Sequence, residues 1–222
     1  RSLLKNAEFY GNFKLTPLSF RTQTLCSLTH ADFSFGESPA VRDVSLTVER
    51  GERIALRGEN GSGKSTVLKL LTGELTAQGG IVQVPGDLRI SYLPQNVSGI
   101  CGTVAGYAAA HGADPTLVMA ILNKFDLRSE LFSRDISGYS DGQKKKVALA
   151  VSLATPAHLY IWDEPLNFID LVSRIQLEDL ILRFRPTLLF IEHDAAFCRN
   201  VATRTVELRR PCRTSDANVR GR

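Results

Sequence analysis

The chain's 222 residues suffice for one α/β domain with a full core, and 43% hydrophobic with 23% charged residues excludes disordered, collagenous and disulfide-scaffold classes. The net charge of +4 does not argue for a nucleic-acid surface across the domain. From Arg199 onward there are seven arginines and two acids, which leaves residues 1–198 at −1.

Residues 1–24 scatter their apolar side chains without a period, as the end of a linker from an upstream element would. Strand alternation begins with "VSLTV" at 44–48, and the short apolar run "RIALR" at 53–57 leads into Gly58. The segment "KSTVLKLLTG" reads as a helix closed by Gly73. "GIVQV" and "LRISYLPQ" read as further strands. From about Thr103 the pattern turns helical: Asp114 caps a helix with Pro115 at its first position, and residues 117, 118, 121, 122 and 125 share one face. A second helix, "GQKKKVALAVSLAT", stops before Pro156.

The final third alternates strand "HLYIW", helix "LVSRIQLEDLILRF", strand "TLLFI", helix "AAFCRNVA" and strand "TVEL". Such alternation predicts a mainly parallel sheet with helices on both faces, with residues 103–154 as an inserted helical subdomain. Residues 209–222 hold too few apolar groups to offset the entropy of ordering and are expected to form a solvated basic tail.

Chemistry concentrates at four strand ends. "GENGSGKS", Gly58 to Ser65, fits the phosphate-binding pattern between a strand and a helix. Small residues there let backbone N–H groups of Gly58, Glu59, Asn60, Gly61, Ser62 and Gly63 surround phosphates at the positive end of the next helix. Lys64 adds a point charge, and the Ser65 hydroxyl is suited to Mg²⁺.

Ligands of parallel sheets sit at the carboxyl ends of strands. "HLYIW" therefore delivers Asp163 to the metal and Glu164 to an attacking water as general base. "TLLFIEHD" brings His193 to the same edge, and Gln95 follows another strand as a neutral amide for water or Mg²⁺.

The four cysteines have no paired spacing, and His30, His111, His158 and His193 do not cluster with them, so free thiols are expected. The longest apolar runs fall far short of the roughly 20 residues that cross a bilayer.

In this order the motifs resemble an ABC-type ATPase domain over about 25–208: the Walker A loop, Gln95, the signature "YSDGQ", "LYIWDE", a D-loop ending at Asp170, and the switch histidine His193. The resemblance implies an α/β P-loop NTPase fold with N-terminal antiparallel β strands, and ATP with Mg²⁺ as ligands. It also puts Phe35 against adenine and Thr66 at the α-phosphate. In this family two domains pack head to tail, so Tyr139, Ser140, Asp141, Gly142 and Gln143 would close over ATP held by a second ABC ATPase domain.

Asp141 replaces a glycine of the usual signature. As a helix cap it contributes about 1 kcal/mol. Facing a γ-phosphate at roughly 5 Å it would cost about 3 kcal/mol per unit charge at an effective dielectric of 20. Repulsion is larger, so Asp141 is expected to turn away or to slow the site it serves.

"DEPLNFID" resembles the Asp-Glu-Pro-Thr-Asn-His-Leu-Asp run of the soluble F subfamily, with Asn167 matching and Leu166, Phe168 and Ile169 departing from it. With the signature and its lysines it is similar to the antibiotic-resistance branch. That resemblance implies a cytoplasmic two-domain protein acting on the ribosome, this chain being its second ATPase domain. The rivals are the ATP-binding subunit of a membrane transporter, held by a transmembrane subunit, and a nucleotide-gated module that does not cleave ATP. Lys144, Lys145 and Lys146 are read equally as a ribosomal RNA contact or as a solvated helix face.

Overall fold

The computed structural model describes residues 17–211. Most of the expected linker end (1–16) and most of the expected tail (212–222) lie outside the described residues.

Strands β1 (Thr24–Phe35) and β2 (Ser38–Glu49) form an antiparallel hairpin, and β4 (Gly79–Gln83) pairs antiparallel with the other edge of β1. The second sheet is parallel, in the order β5 (Ile90–Leu93), β6 (Leu159–Asp163), β7 (Leu188–Ile191), β3 (Arg53–Arg57), β8 (Arg204–Glu207). Every residue of β6 and β7 is buried, which explains their unbroken apolar runs: a central parallel strand is covered on both faces.

Helix α1 (Lys64–Thr72) follows β3 and ends at Gly73, whose left-handed φ of 77° suits glycine. Between β5 and β6 the chain makes the helical segment of α2 (Val104–Ala110), α3 (Pro115–Lys124) and α4 (Asp141–Ala154). Asp114 caps α3 by accepting from the Thr116 N–H at 2.9 Å, with Pro115 in the first turn. Helices α5 (Leu171–Phe184) and α6 (Ala195–Val201) complete the parallel half.

Two apolar cores result. In one, Val118, Ile121 and Leu122 of α3 and Phe125 just after it join buried residues of α4, α5 and the parallel sheet. In the other, Val67, Leu68 and Leu71 of α1 lie with residues from both sheets, including Leu28, Val48, Ile54 and Leu189. Each such side chain contributes about 1.5–3 kcal/mol by leaving water. The cores also hold a polar tie: Trp162 Nε1 donates to Ser152 Oγ at 2.9 Å, and Ser152 Oγ lies 2.8 Å from Ser91 Oγ.

The expected linker does not stay apart from the domain over its last residues. Leu18 N–H donates to Ala157 O at 2.9 Å, and Phe20, 5% exposed, sets its ring edge against His158.

Candidate functional site

The phosphate loop joins β3 to α1, and its geometry requires glycine. Gly58 and Gly63 have φ of 144° and 90°, and a side-chain carbon would meet Leu208 O at 2.4 Å on the first and Ala40 O at 2.2 Å on the second. The Lys64 ammonium curls over the loop to Gly58 O at 2.8 Å and Glu59 O at 2.9 Å. Glu59 and Asn60 are exposed.

Phe35 and Thr66 line one cavity of about 300 Å³ with Gly61, Gly63 and Arg210. The Phe35 ring is 57% exposed at the mouth of this cavity and braced edge-on by Phe33. Sequence reading assigned Arg210 to the tail. Its place follows from the pairing of β8 with β3: Leu208 N–H donates to Arg57 O at 2.8 Å, which carries the next residues past the loop that β3 feeds.

Asp163 ends β6, buried and 3% exposed, and its Oδ1 has no hydrogen-bond partner among the described residues. Burial raises its pKa, the Ser65 hydroxyl bond opposes that rise, and neighbouring Glu164 reinforces it. An unpartnered buried carboxylate oxygen beside a hydroxyl fits a hard cation such as Mg²⁺. Among the described residues no group of three or more His, Cys, Asp or Glu side chains forms a metal site, so such an ion would also need phosphate oxygens.

Glu164 is the meeting point. Its backbone turns left-handed at φ 50°, and its N–H donates to Ile191 O at 3.0 Å. Oε2 accepts Gln95 Nε2 at 2.8 Å and also the Asn167 amide, while His193 Nε2 lies 3.5 Å from Oε1. Asn167 entered the sequence reading only as a family mark, and no spacing rule points to its contact with Glu164.

The histidine loop is anchored from beneath. Buried Glu192 accepts the His193 N–H at 2.7 Å on one oxygen and the Leu166 N–H at 3.1 Å on the other. Asp194 caps α6 and makes a two-pronged pair with Arg174 at 2.5 and 2.8 Å. Its bonds from the Phe197 and Ala196 N–H groups, with Phe197 the larger effect, and the guanidinium hold its carboxyl below the usual range.

Ser140 opens α4 in a capping box: Ser140 Oγ accepts from the Gln143 N–H at 3.3 Å, and Gln143 Oε1 accepts from the Ser140 N–H at 3.0 Å. Tyr139 is buried, its hydroxyl donating to Leu131 O. Asp141 is exposed at the first helical position, in a cavity of about 370 Å³ with Gln95, Lys145, Asn167 and Phe168. Gly142 packs on the main chain of Phe168, where a side-chain carbon would lie 2.6 Å from the carbonyl oxygen. Gln143 lines a different cavity from the one that holds Phe35 and Thr66.

The three lysines of α4 overturn both readings made of them. Lys144 and Lys145 are buried, and the Lys146 side chain is 12% exposed. Lys144 donates to Ser98 O at 3.1 Å, and Lys146 to Phe125 O at 2.6 Å and the Asp170 carboxylate at 2.6 Å. Lys145 donates to three carbonyls, and burial lowers its pKa to about 8 against the pull of Asp163, Glu164 and Glu192. They are internal ties because three separate segments present acceptors to the first turns of α4. Asp170, the last D-loop residue, also caps α5 by accepting from the Ser173 N–H at 2.9 Å.

Comparison with known proteins bears on this site. The family model described as "ABC transporter" matches residues 41–167. The chain is 34% identical over 183 residues to ATP-binding protein Uup of Caulobacter vibrioides, across 78% of this chain and 30% of that protein. It is 28% identical over 198 residues to ABC transporter F family member 5 of Arabidopsis thaliana, across 86% of this chain and 28% of that protein. The chain thus spans 30% or less of the length of these relatives.

Among solved structures, the ATP-binding subunit of an ABC transporter superposes with a TM-score of 0.72 at 23% identity, over 84% of this chain and 88% of the other. The dimeric bacterial ABC transporter cassette MJ0796 gives 0.72 at 20% identity, over 83% and 94%. These two likenesses establish the fold alone.

Proposed function

Since the chain belongs to the ABC transporter family, with Uup and F-family proteins among its relatives, we propose that it hydrolyses ATP with Mg²⁺ as one half of a two-domain F-type protein. The observation that carries the reading is the convergence of Gln95, Asn167 and His193 on Glu164, next in sequence to the unpartnered Asp163 oxygen.

The triphosphate would lie along the N–H groups of residues 58–63 and the N-terminus of α1, with Lys64 moving from the loop carbonyls to the phosphates. Ser65 and Asp163 would hold Mg²⁺, and Gln95 is a further ligand on the sequence reading. When bound, the ion draws charge from the β- and γ-phosphate oxygens. Phe35 would stack on adenine, Thr66 would meet the α-phosphate, and Arg210 adds a cation to the same cavity.

Glu164 takes a proton from the attacking water as the water oxygen bonds the γ-phosphorus. The bond to the bridging oxygen breaks, ADP leaves, and His193 and Gln95 hold the water and carboxylate in line. Tyr139, Ser140, Asp141, Gly142 and Gln143 would serve the ATP of a second ABC domain, with Asp170 near that contact. The MJ0796 dimer supports pairing of this kind.

Action on the ribosome in the cytoplasm rests on the resemblance of the "DEPLNFID" run to the soluble F subfamily. No helix among the described residues is long and apolar enough to cross a membrane. Two measurements test the proposal. Glu164→Gln should keep nucleotide binding and lose single-turnover hydrolysis by about 100-fold; retained hydrolysis would rule out Glu164 as base. The protein should sediment with ribosomes when ATP is present. Recovery with a transmembrane subunit instead would favour the transporter reading.

A further inference from the structure

Strands β5 and β6 pair in parallel from Ile90 opposite Leu159 to Leu93 opposite Trp162. Past that step no ladder pair joins them, yet Gln95 and Glu164 stay close enough for a 2.8 Å bond. Lys145 stands where the ladder stops. From α4 its Nζ donates to Pro94 O at 3.2 Å, Gln95 O at 3.2 Å and Asp163 O at 3.4 Å.

An ammonium has three N–H donors, and these three carbonyls take all of them. The side chain is 1% exposed, and a buried cation is tolerated only when its donors are met. Because the acceptors are main-chain oxygens, the contact fixes the backbone from which Gln95, Asp163 and Glu164 project.

We propose that Lys145 is a positioning residue for hydrolysis, which replaces the missing ladder bonds and holds the Gln95 and Asp163–Glu164 strand ends at working distance. The role rests on the hydrolytic reading above and acts through Gln95 and the two acids. A glutamine at 145 supplies two donors and a methionine none, so the two substitutions grade the contact.

The test is single-turnover hydrolysis with protein in excess, alongside the Kd of a fluorescent ATP analogue, for wild type, Lys145→Met, Lys145→Gln and Glu164→Gln. Lys145→Met should slow hydrolysis about 10- to 100-fold while Kd stays within about twofold. Lys145→Gln should fall between. Combining Lys145→Met with Gln95→Ala should be less than multiplicative, since both act on one amide. A wild-type rate in Lys145→Met, or an equal loss in Kd, overturns the proposal. If Lys145→Met does not fold by circular dichroism, the same two outcomes are read from Lys145→Gln. Equal phosphate release by wild type and Glu164→Gln is a different result, and defeats the hydrolytic reading itself.

Discussion

Asn167 donates its side-chain amide to the same Glu164 oxygen that Gln95 reaches at 2.8 Å. Two amides on Oε2 leave Oε1 as the oxygen facing His193, 3.5 Å from Nε2. Asn167→Ala removes one of those donors and lets the carboxylate swing. Hydrolysis should fall about 10-fold with nucleotide Kd unchanged. A wild-type rate would mean that Gln95 alone holds the base.

Asp141 is exposed at the start of α4 and has no capping work there, because Ser140 is the cap. In the paired protein its charge would face the second site's γ-phosphate. Removing about 3 kcal/mol of repulsion corresponds to as much as about 100-fold in rate. Asp141→Gly should therefore raise steady-state ATPase of the paired domains. Equal or lower turnover would show that the carboxylate already points clear of the phosphate.

Trp162 is the sole tryptophan in the chain and fully buried, with Ser152 Oγ accepting its indole N–H. Ser152→Ala leaves that donor without a partner at a cost of about 1–3 kcal/mol. Urea unfolding followed by tryptophan fluorescence should show a lower midpoint with an unchanged slope. An unchanged midpoint would mean that the indole finds another acceptor.

Asp170 carries a pH dependence. Burial works against its charge, but the Lys146 ammonium and the Ser173 N–H and hydroxyl bring its pKa down to about 2. An unfolded aspartate titrates near about 3.9. The contribution is thus complete above that value and disappears as pH falls towards 2. Wild type should exceed Asp170→Asn in melting temperature at pH 6, and the gap should close between pH 4 and pH 2. A gap that persists at the acid end would show that the effect does not come from the Asp170 charge.

The phosphate loop, both acids and the final strand–helix alternation are legible in the sequence because short-range rules govern them: glycine at positive φ, buried apolar runs, acids at a strand's end. Strand β1 is not legible. Register shifts between Thr24 and Cys26 and again from Leu28 to Ser34 break its period of two. The α4 lysines mislead for the opposite reason. Their acceptors Ser98, Pro94 and Phe125 lie 46, 51 and 21 residues away, where local pattern carries no information. Asn167 meets Glu164 only across a loop that turns left-handed at both Glu164 and Phe168.

The contact of Gly142 with the Phe168 carbonyl implies an asymmetry in how the two positions tolerate drift over evolutionary time. Any residue at 168 offers the same main-chain oxygen, and its φ of 64° is the chief filter on what that position accepts. Position 142 admits one residue type, since even a methyl group would push the helix tip off its neighbour. Diverging copies of this domain should therefore scatter at 168 and stay constant at 142.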